Sequence, residues 1–107
     1  MSYAYVWEFV VRPEAREEFI EAYGSGGTWE TLFLKDDRFL ETEFLGDVND
    51  EYRFMTVDHW ESKDAMEAFL VKYAEEYKKI DDKCDSFTES ENYLGEFHLN
   101  KPKSAGG

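Results

Sequence analysis

The sequence predicts an α+β domain with a ferredoxin-like β-α-β-β-α-β order and an antiparallel sheet. Four segments alternate in the way strands do, two longer segments repeat apolar residues at helical spacing, and these segments follow one another in that order. The length of 107 residues suits a single domain. We predict this domain over residues 1–99, followed by a polar tail, residues 100–107, that is disordered.

The first strand and helix are predicted from the first quarter of the chain. Residues 3–12 alternate in two registers that are both largely apolar, so this strand requires cover on both faces. Pro13 suits the first position of a helix, and Gly24 suits the residue just past its end. Thr28 is then predicted to cap a short helical segment.

The next two strands are predicted as a hairpin. Residues 39–47 form the second strand and residues 52–60 the third, joined by a cluster of turn-forming residues at positions 47–51. Strict alternation in the second strand puts Phe39 on the face opposite to Thr42. Four residues of the third strand share one face: Phe54, Thr56, Asp58 and Trp60.

The last part of the chain contains the second helical region and the fourth strand. Ser62 is a good N-cap, and the apolar stripe after it fits one long helix or two helices joined near Tyr73. Thr88 and Glu91 have the spacing of a capping box, which predicts a short helical turn. The fourth strand is predicted at residues 93–99.

The predicted strands carry apolar residues on both faces, although the helices of this fold cover only one. A small domain rarely leaves so large an apolar face in water. The second face is therefore expected to meet another chain, most simply a twofold copy, which makes the protein a homodimer. His59, which alternates with Asp58 and Trp60, would then face that partner.

Charge and cysteine content restrict the partners and the compartment. The formal net charge is -13, from 25 acidic and 12 basic residues, which disfavours nucleic acid and anionic membranes as partners. Cys84 is the single cysteine, so no intrachain disulfide can form and a cytoplasmic location is predicted. The apolar start of the chain is too short to span a bilayer and lacks the basic flank of a signal peptide.

Three stretches carry a resemblance to a known family: "YVWEFVVRPEAREEFIEAYG", "TWETLFLKDDRFLETEFLGDV" and "FMTVDHWESKDAMEAF". Over roughly residues 3–99 the chain resembles the antibiotic biosynthesis monooxygenase superfamily, and in particular an uncharacterised bacterial branch with "AYG", a tryptophan and "LF" after the first helix. The resemblance implies a dimeric α/β barrel, in which two sheets pack face to face. It also implies a pocket between sheet and helices in each subunit. Some members oxidise polyketide-like aromatic substrates with dioxygen and no cofactor, and others degrade haem.

The candidate pocket is predicted on the sheet face that carries Asp58 and Trp60. In apolar surroundings the pKa of the Asp58 carboxyl rises, which makes it a candidate catalytic base. Tyr73 is the second candidate catalytic residue, because it or Tyr23 can bind or protonate an intermediate. The alternative is structural, with Asp58 as a cap or turn acceptor and Trp60 as packing. The predicted substrate-binding residues are Trp7, Tyr23, Phe54, Thr56, Trp60, Met66 and Phe69.

The leading functional prediction is a cofactor-independent monooxygenase-like domain that acts on an aromatic or quinonoid small molecule. The alternative is a non-catalytic dimeric barrel that binds a hydrophobic metabolite or assists another enzyme's complex. The resemblance implies that haem-degrading relatives carry an asparagine near the place of Trp7 and a histidine late in the helix that follows Trp60. Haem degradation is disfavoured here, because Trp7 is apolar and residues 62–87 contain no histidine. His59 and His98 lack nearby ligand partners in the sequence, so no metal site is predicted.

Overall fold

The computed structural model describes residues 2–100, which form a four-stranded antiparallel sheet and four helices. The sheet has the order β2-β3-β1-β4, which confirms the predicted α+β, ferredoxin-like arrangement. Apart from Asn100, the predicted disordered tail lies outside the described residues. The strands are β1 (Tyr3–Val11), β2 (Phe39–Asp47), β3 (Asp50–Trp60) and β4 (Thr88–His98). The helices are α1 (Arg16–Tyr23), α2 (Thr28–Phe33), α3 (Lys63–Lys72) and α4 (Ala74–Cys84).

The connection from α1 to α2 is tight. Gly24 directly follows α1, as predicted, with extended backbone (φ -79°, ψ -178°), and a Cβ there would lie 2.7 Å from the Ile20 carbonyl oxygen. Gly27 takes the N-cap position of α2, so the prediction of Thr28 as the cap was wrong. Glycine is required at position 24 because the end of α1 leaves no room for a Cβ. A positive φ is not the reason.

The second helical region is two helices. The Ser62 Oγ accepts a hydrogen bond of 3.0 Å from the backbone N–H of Ala65, which confirms the predicted cap of α3. Tyr73 leaves helical geometry (φ -109°, ψ 27°) and separates α3 from α4. The Thr88 hydroxyl does donate to the Glu91 carboxylate, at 3.1 Å, but both residues lie in β4 and not in the helical turn that was predicted.

A bulge in β2 corrects the predicted position of Phe39. Phe39 pairs with Trp60 and Glu41 pairs with His59, so Leu40 is an extra residue in the strand. The extra residue shifts the alternation, and Phe39 turns towards the helices, where it is buried with its ring 5.2 Å from that of Trp60.

The core lies between the helices and the sheet face that carries Trp60. The Trp60 side chain is fully buried, with its ring 5.0 Å from Phe69 of α3 and 5.8 Å from Phe33 of α2. Phe19 of α1 is also fully buried and stacks on Tyr23 at 4.2 Å. Each such aromatic side chain contributes about 2–3 kcal/mol by leaving water.

The opposite side of the sheet, here called the open face, carries both apolar and charged side chains. Arg53 forms ion pairs with Glu8 and Asp47, and the His59 Nε2 lies 2.6 Å from the Glu43 carboxylate. Within residues 2–100, no helix has the length and apolar character needed to cross a membrane. Strand pairing puts the following apolar residues on the open face: Val6, Val10, Leu45, Met55, Val57 and Phe97.

Candidate functional site

The candidate site begins with a row of side chains across the sheet. Strand pairing places Thr42 of β2 and Tyr5 of β1 on either side of Asp58 in β3. The adjacent row on the same face contains Thr56 beside Trp7. Because side chains two residues apart in a strand point to the same face, both rows face the helices.

Asp58 is a buried acid, with 6% of its surface exposed. Its Oδ1 accepts a short hydrogen bond of 2.5 Å from the Thr42 hydroxyl. Burial raises the pKa of the Asp58 carboxyl to about 6, and this rise is opposed by the Thr42 hydrogen bond, by His59 and by the Tyr5 hydroxyl. The group is therefore mostly ionised at neutral pH, but it is a stronger base than an ordinary aspartate.

The helices form the wall opposite these rows. Trp29 and Phe33 lie one turn apart on α2, and Tyr77 and Asp81 lie one turn apart on α4. The ring of Trp29 meets that of Tyr77 edge-on, with centroids 4.8 Å apart. Tyr23, the last residue of α1, lies 5.9 Å from Trp29 and closes this wall.

Between the sheet and these helices lies a cleft of about 170 Å³. A cavity of about 150 Å³ holds benzene, so the cleft is large enough to take an aromatic ring. Seven side chains form what we call the aromatic wall of the cleft: Tyr5, Trp7, Phe9, Tyr23, Trp29, Phe33 and Tyr77.

Three further carboxylates line the cleft and form what we call the acidic rim: Glu30, Asp81 and Glu91. Burial raises the pKa of the Asp81 carboxyl, and the nearby charges of Asp82 and Asp85 raise it further. Burial is also the main cause of the raised pKa of Glu91, to which the charge of Asp81 adds. Asp81 and Glu91 remain exposed, so the acidic rim lies on the solvent side, whereas Asp58 lies inside.

The tyrosines of the cleft are hydrogen-bond donors and not bases at neutral pH. Burial, together with Asp81 and Asp58, raises the pKa of Tyr77 to about 12. Burial also raises the pKa of Tyr5 and of Tyr23 well above the usual value. These hydroxyls therefore keep their protons when an anion forms beside them.

The indole of Trp29 borders the cleft. Its Nε1–H is buried and makes no hydrogen bond of good geometry among residues 2–100. It lies close enough to the Tyr23 hydroxyl and the Cys84 thiol to oppose the rise in their pKa values, so we assign it no contact with a ligand. The Nε1–H of Trp60 also lacks a partner in the described part of the chain, but Trp60 does not border the cleft.

Four of the residues predicted for the site line the cleft. Asp58 and Thr56 project from β3, Trp7 from β1 and Tyr23 from the end of α1. Strand alternation was sufficient to place the first three on one face, and helical spacing placed Tyr23 opposite them.

Five other predicted residues do not border the cleft, which corrects the predicted pocket. Trp60 and Phe69 are fully buried against each other, and the Tyr73 ring is tilted against that of Phe69 with the centroids 4.9 Å apart. Phe54 and Met66 are buried in the core as well. The reason is that α3 packs directly on the end of β3, so the gap opens beneath α2 and α4 instead.

Several cleft residues were not predicted from the sequence. Tyr5 shares the alternation of Trp7, and Tyr77 follows Tyr73 by four residues, so both could have been found from spacing alone. Trp29 gave no such signal, because sequence does not show which element a short helix packs against. Glu91 was interpreted as part of a helix cap, which concealed its position opposite Phe9 in the sheet.

Comparison with known families gives one match that covers most of the chain. Residues 2–80 match the sequence model of the family described as antibiotic biosynthesis monooxygenase. No curated protein matches the chain.

Solved structures share the fold. A variant of SnoaB, a cofactor-independent oxygenase from Streptomyces nogalater, superposes with a TM-score of 0.79 at 14% identity, over 96% of this chain and 97% of that one. A conserved protein from Methanosarcina mazei superposes with a TM-score of 0.72 at 12% identity, over 94% of each chain. At such low identity these similarities establish the fold alone.

Proposed function

We propose, since the chain belongs to the antibiotic biosynthesis monooxygenase family, that it is a cofactor-independent monooxygenase acting on an aromatic or quinonoid small molecule in the cleft. The observation that carries this proposal is the Asp58 carboxylate, which is buried beside the aromatic wall and has a pKa of about 6. Such a carboxylate can remove a proton from an activated aromatic substrate at neutral pH.

The reaction needs only the substrate, dioxygen and a base. Asp58 removes a proton from a benzylic CH₂ group that is conjugated with a ketone through an aromatic ring, and the resulting carbanion gives two electrons to dioxygen as the carbon–oxygen bond forms. The peroxide takes up one proton. Loss of the second proton from the same carbon then breaks the O–O bond, so that CH₂ and O₂ become C=O and water.

The tyrosine hydroxyls of the cleft have a supporting role in this scheme. Tyr5 lies next to Asp58 in the sheet, and Tyr77 reaches the cleft from α4. Both keep their protons at neutral pH, so they can donate hydrogen bonds to an enolate or peroxide oxygen. Tyr73, the tyrosine favoured by the sequence, is outside the cleft, and Tyr77 takes over its proposed role.

The proposed assembly is a homodimer in which the open faces of two sheets pack together. Val57 and Met55 at the middle of β3 are only partly buried in one chain, and Phe97 of β4 is 53% exposed. An apolar sheet face of this kind favours a partner with the same surface.

The second candidate function is ligand binding without turnover. The short hydrogen bond from Thr42 to Asp58 favours it, because a carboxylate held in this way also serves a purely structural role. Haem breakdown is not supported, since no histidine lines the cleft among the described residues.

The proposed reaction is tested by oxygen uptake with anthrone as the probe, with protein-free oxidation subtracted. We expect the rate to rise with pH through about 6, as Asp58 ionises. We expect Asp58→Asn to lower kcat by about 100-fold or more, in line with the loss of a general base. Asp82→Asn, an exposed aspartate on α4 that pairs with Lys78, is the matched control and should keep full activity.

Unchanged turnover in Asp58→Asn would remove this residue from the mechanism. If the unaltered protein binds anthrone but consumes no oxygen above background, the ligand-binding function replaces the oxygenase.

A further inference from the structure

The chemical composition of the cleft lining is unusual. Of its 13 residues, seven are aromatic, four are carboxylic acids and two are threonines. None is basic and none is aliphatic. Apolar substrates are ordinarily held by aliphatic as well as aromatic side chains, so this lining indicates a more specific ligand.

The ring faces and the carboxylates of the lining attract positive charge. The faces of aromatic rings carry negative potential, and they bind ammonium groups within about 6 Å of the ring centroid, most strongly at tryptophan. The aromatic wall includes Trp7 and Trp29, and the latter meets Tyr77 at 4.8 Å, so several ring surfaces border one space. The acidic rim adds carboxylates at the mouth of the same space.

Two carboxylates of the acidic rim, Asp81 and Glu91, form no ion pair among residues 2–100. The charge of Lys78 only partly offsets the rise in the pKa of Asp81. Asp81 and Glu91 also repel each other, which adds to the raised pKa of Glu91. A bound cation would relieve both the repulsion and the loss of hydration.

A metal ion is a poor candidate for this cation. In the described part of the chain, no group of three histidine, cysteine, aspartate or glutamate side chains is arranged to hold one. The rings that dominate the cleft suit an organic cation with an apolar body instead.

We propose that the cleft selects an aromatic ligand that carries a protonated or quaternary amine, with its ring against the aromatic wall and its ammonium group at the acidic rim. This inference rests on the proposed function, because it takes the same cleft as the substrate site and names the substrate class. It also predicts that carboxylate-bearing aromatics are excluded by repulsion.

Three probes of similar shape test the charge preference. These are 3-hydroxyphenyltrimethylammonium, its neutral isostere 3-tert-butylphenol, and the anion 3-hydroxybenzoate. Binding is followed by NMR titration of the ¹⁵N-labelled protein, in which the indole N–H signal of Trp29 reports occupation of the cleft. We expect the cation to bind about 10-fold more tightly than the neutral isostere, and the anion to bind least.

A matched pair of double variants separates the acidic rim from the overall charge of the protein. Asp81→Asn with Glu91→Gln removes two rim carboxylates, and the cation preference should fall to about twofold or less. Glu67→Gln with Glu75→Gln removes the same charge from exposed positions of α3 and α4 and should leave the preference unchanged.

Equal affinities for the cation and its neutral isostere in the unaltered protein would overturn the proposal. So would a preference that survives removal of the two rim carboxylates, or no binding of any probe at millimolar concentration. The result is independent of turnover. Cation selectivity without oxygen uptake would leave this inference standing and remove the oxygenase, and oxygen uptake without selectivity would do the reverse.

Discussion

At the scale of single residues, Asp58 is the proposed catalytic base, and burying its carboxylate lowers the free energy of unfolding at neutral pH. The carboxyl is 6% exposed, and its pKa of about 6 lies above the usual 3.8 because burial disfavours the charged form. The folded protein therefore binds this proton more tightly than the unfolded chain does between about pH 4 and 6. Raising the pH through that window lowers the free energy of unfolding, and the loss is complete above the folded-state pKa.

Removing the Asp58 charge is thus expected to stabilise the protein at neutral pH. A shift of about two pKa units corresponds to about 3 kcal/mol, so Asp58→Asn should be about 1–3 kcal/mol more stable than the unaltered protein at pH 7. The difference in stability between Asp58→Asn and the unaltered protein should disappear as the pH falls below 4, because Asp58 is then uncharged, like the asparagine. Urea unfolding at pH 7 and at pH 4 measures both values.

Asp82→Asn is the control for the urea experiment. Asp82 is exposed and pairs only with Lys78 one turn away, so its removal should change the free energy of unfolding by less than about 0.5 kcal/mol. A loss of stability in Asp58→Asn at pH 7 would contradict the argument and show that the hydrogen bond from Thr42 outweighs the desolvation of the carboxylate.

At the scale of elements, the connection from α1 to α2 determines where the cleft opens. This loop, residues 24–27, brings α2 back against α1, so that Trp29 lies 5.9 Å from Tyr23. The Gly24 N–H bonds to the Ile20 carbonyl, and the Gly27 N–H bonds to the Gly24 carbonyl at 3.0 Å. The position of the helical wall therefore depends on a few closely packed backbone groups.

Gly27→Ala should disturb this connection. A Cβ at Gly27 would lie 2.2 Å from the Glu21 carbonyl oxygen, so the loop must shift and α2 must move with it. We expect a loss of about 1–3 kcal/mol in the free energy of unfolding, measured by urea denaturation, and a change in the NMR signal of the Trp29 indole.

Ser25→Ala tests the same loop at an exposed position and should change little. If Gly27→Ala is as stable as the unaltered protein and leaves the Trp29 signal in place, the close approach of the loop does not position α2.

At the scale of the whole molecule, the unequal cover of the sheet is the main feature. The helices bury one face, where Trp60 of β3 packs against Phe69 of α3 and neither has exposed surface. No helix of the described residues packs on the open face, and Leu45 and Phe97 remain about half exposed there. The proposed homodimer accounts for this asymmetry.

The dimer is tested by the same substitution on the two sides of the protein. Val57→Lys places a charge at the middle of the open face and should convert a dimer into a monomer, as measured by light scattering during gel filtration. Val71→Lys makes the same change on α3, where Val71 is 80% exposed, and should leave the dimer intact. A monomeric unaltered protein, or a dimer that survives Val57→Lys, would exclude the open face as the interface.

The sequence by itself determined the fold class, the faces of β3 and the cap at Ser62. These properties depend on the period of the side chains and on hydrogen bonds between neighbouring residues, which a sequence displays directly. It also predicted that Asp58 is buried, because this aspartate alternates with Phe54, Thr56 and Trp60, and the structure buries all four.

Only the tertiary structure decided where the cleft opens. Trp60 and Phe69 are as aromatic as Trp29 and Tyr77, but the first pair fills the space under α3 and the second borders the gap under α2 and α4. The bulge at Leu40 likewise reversed the side of Phe39. The position of the cleft and the side of Phe39 depend on how elements distant in sequence pack together. The periodicity of a sequence indicates which residues face the core, but it does not indicate how closely two surfaces pack.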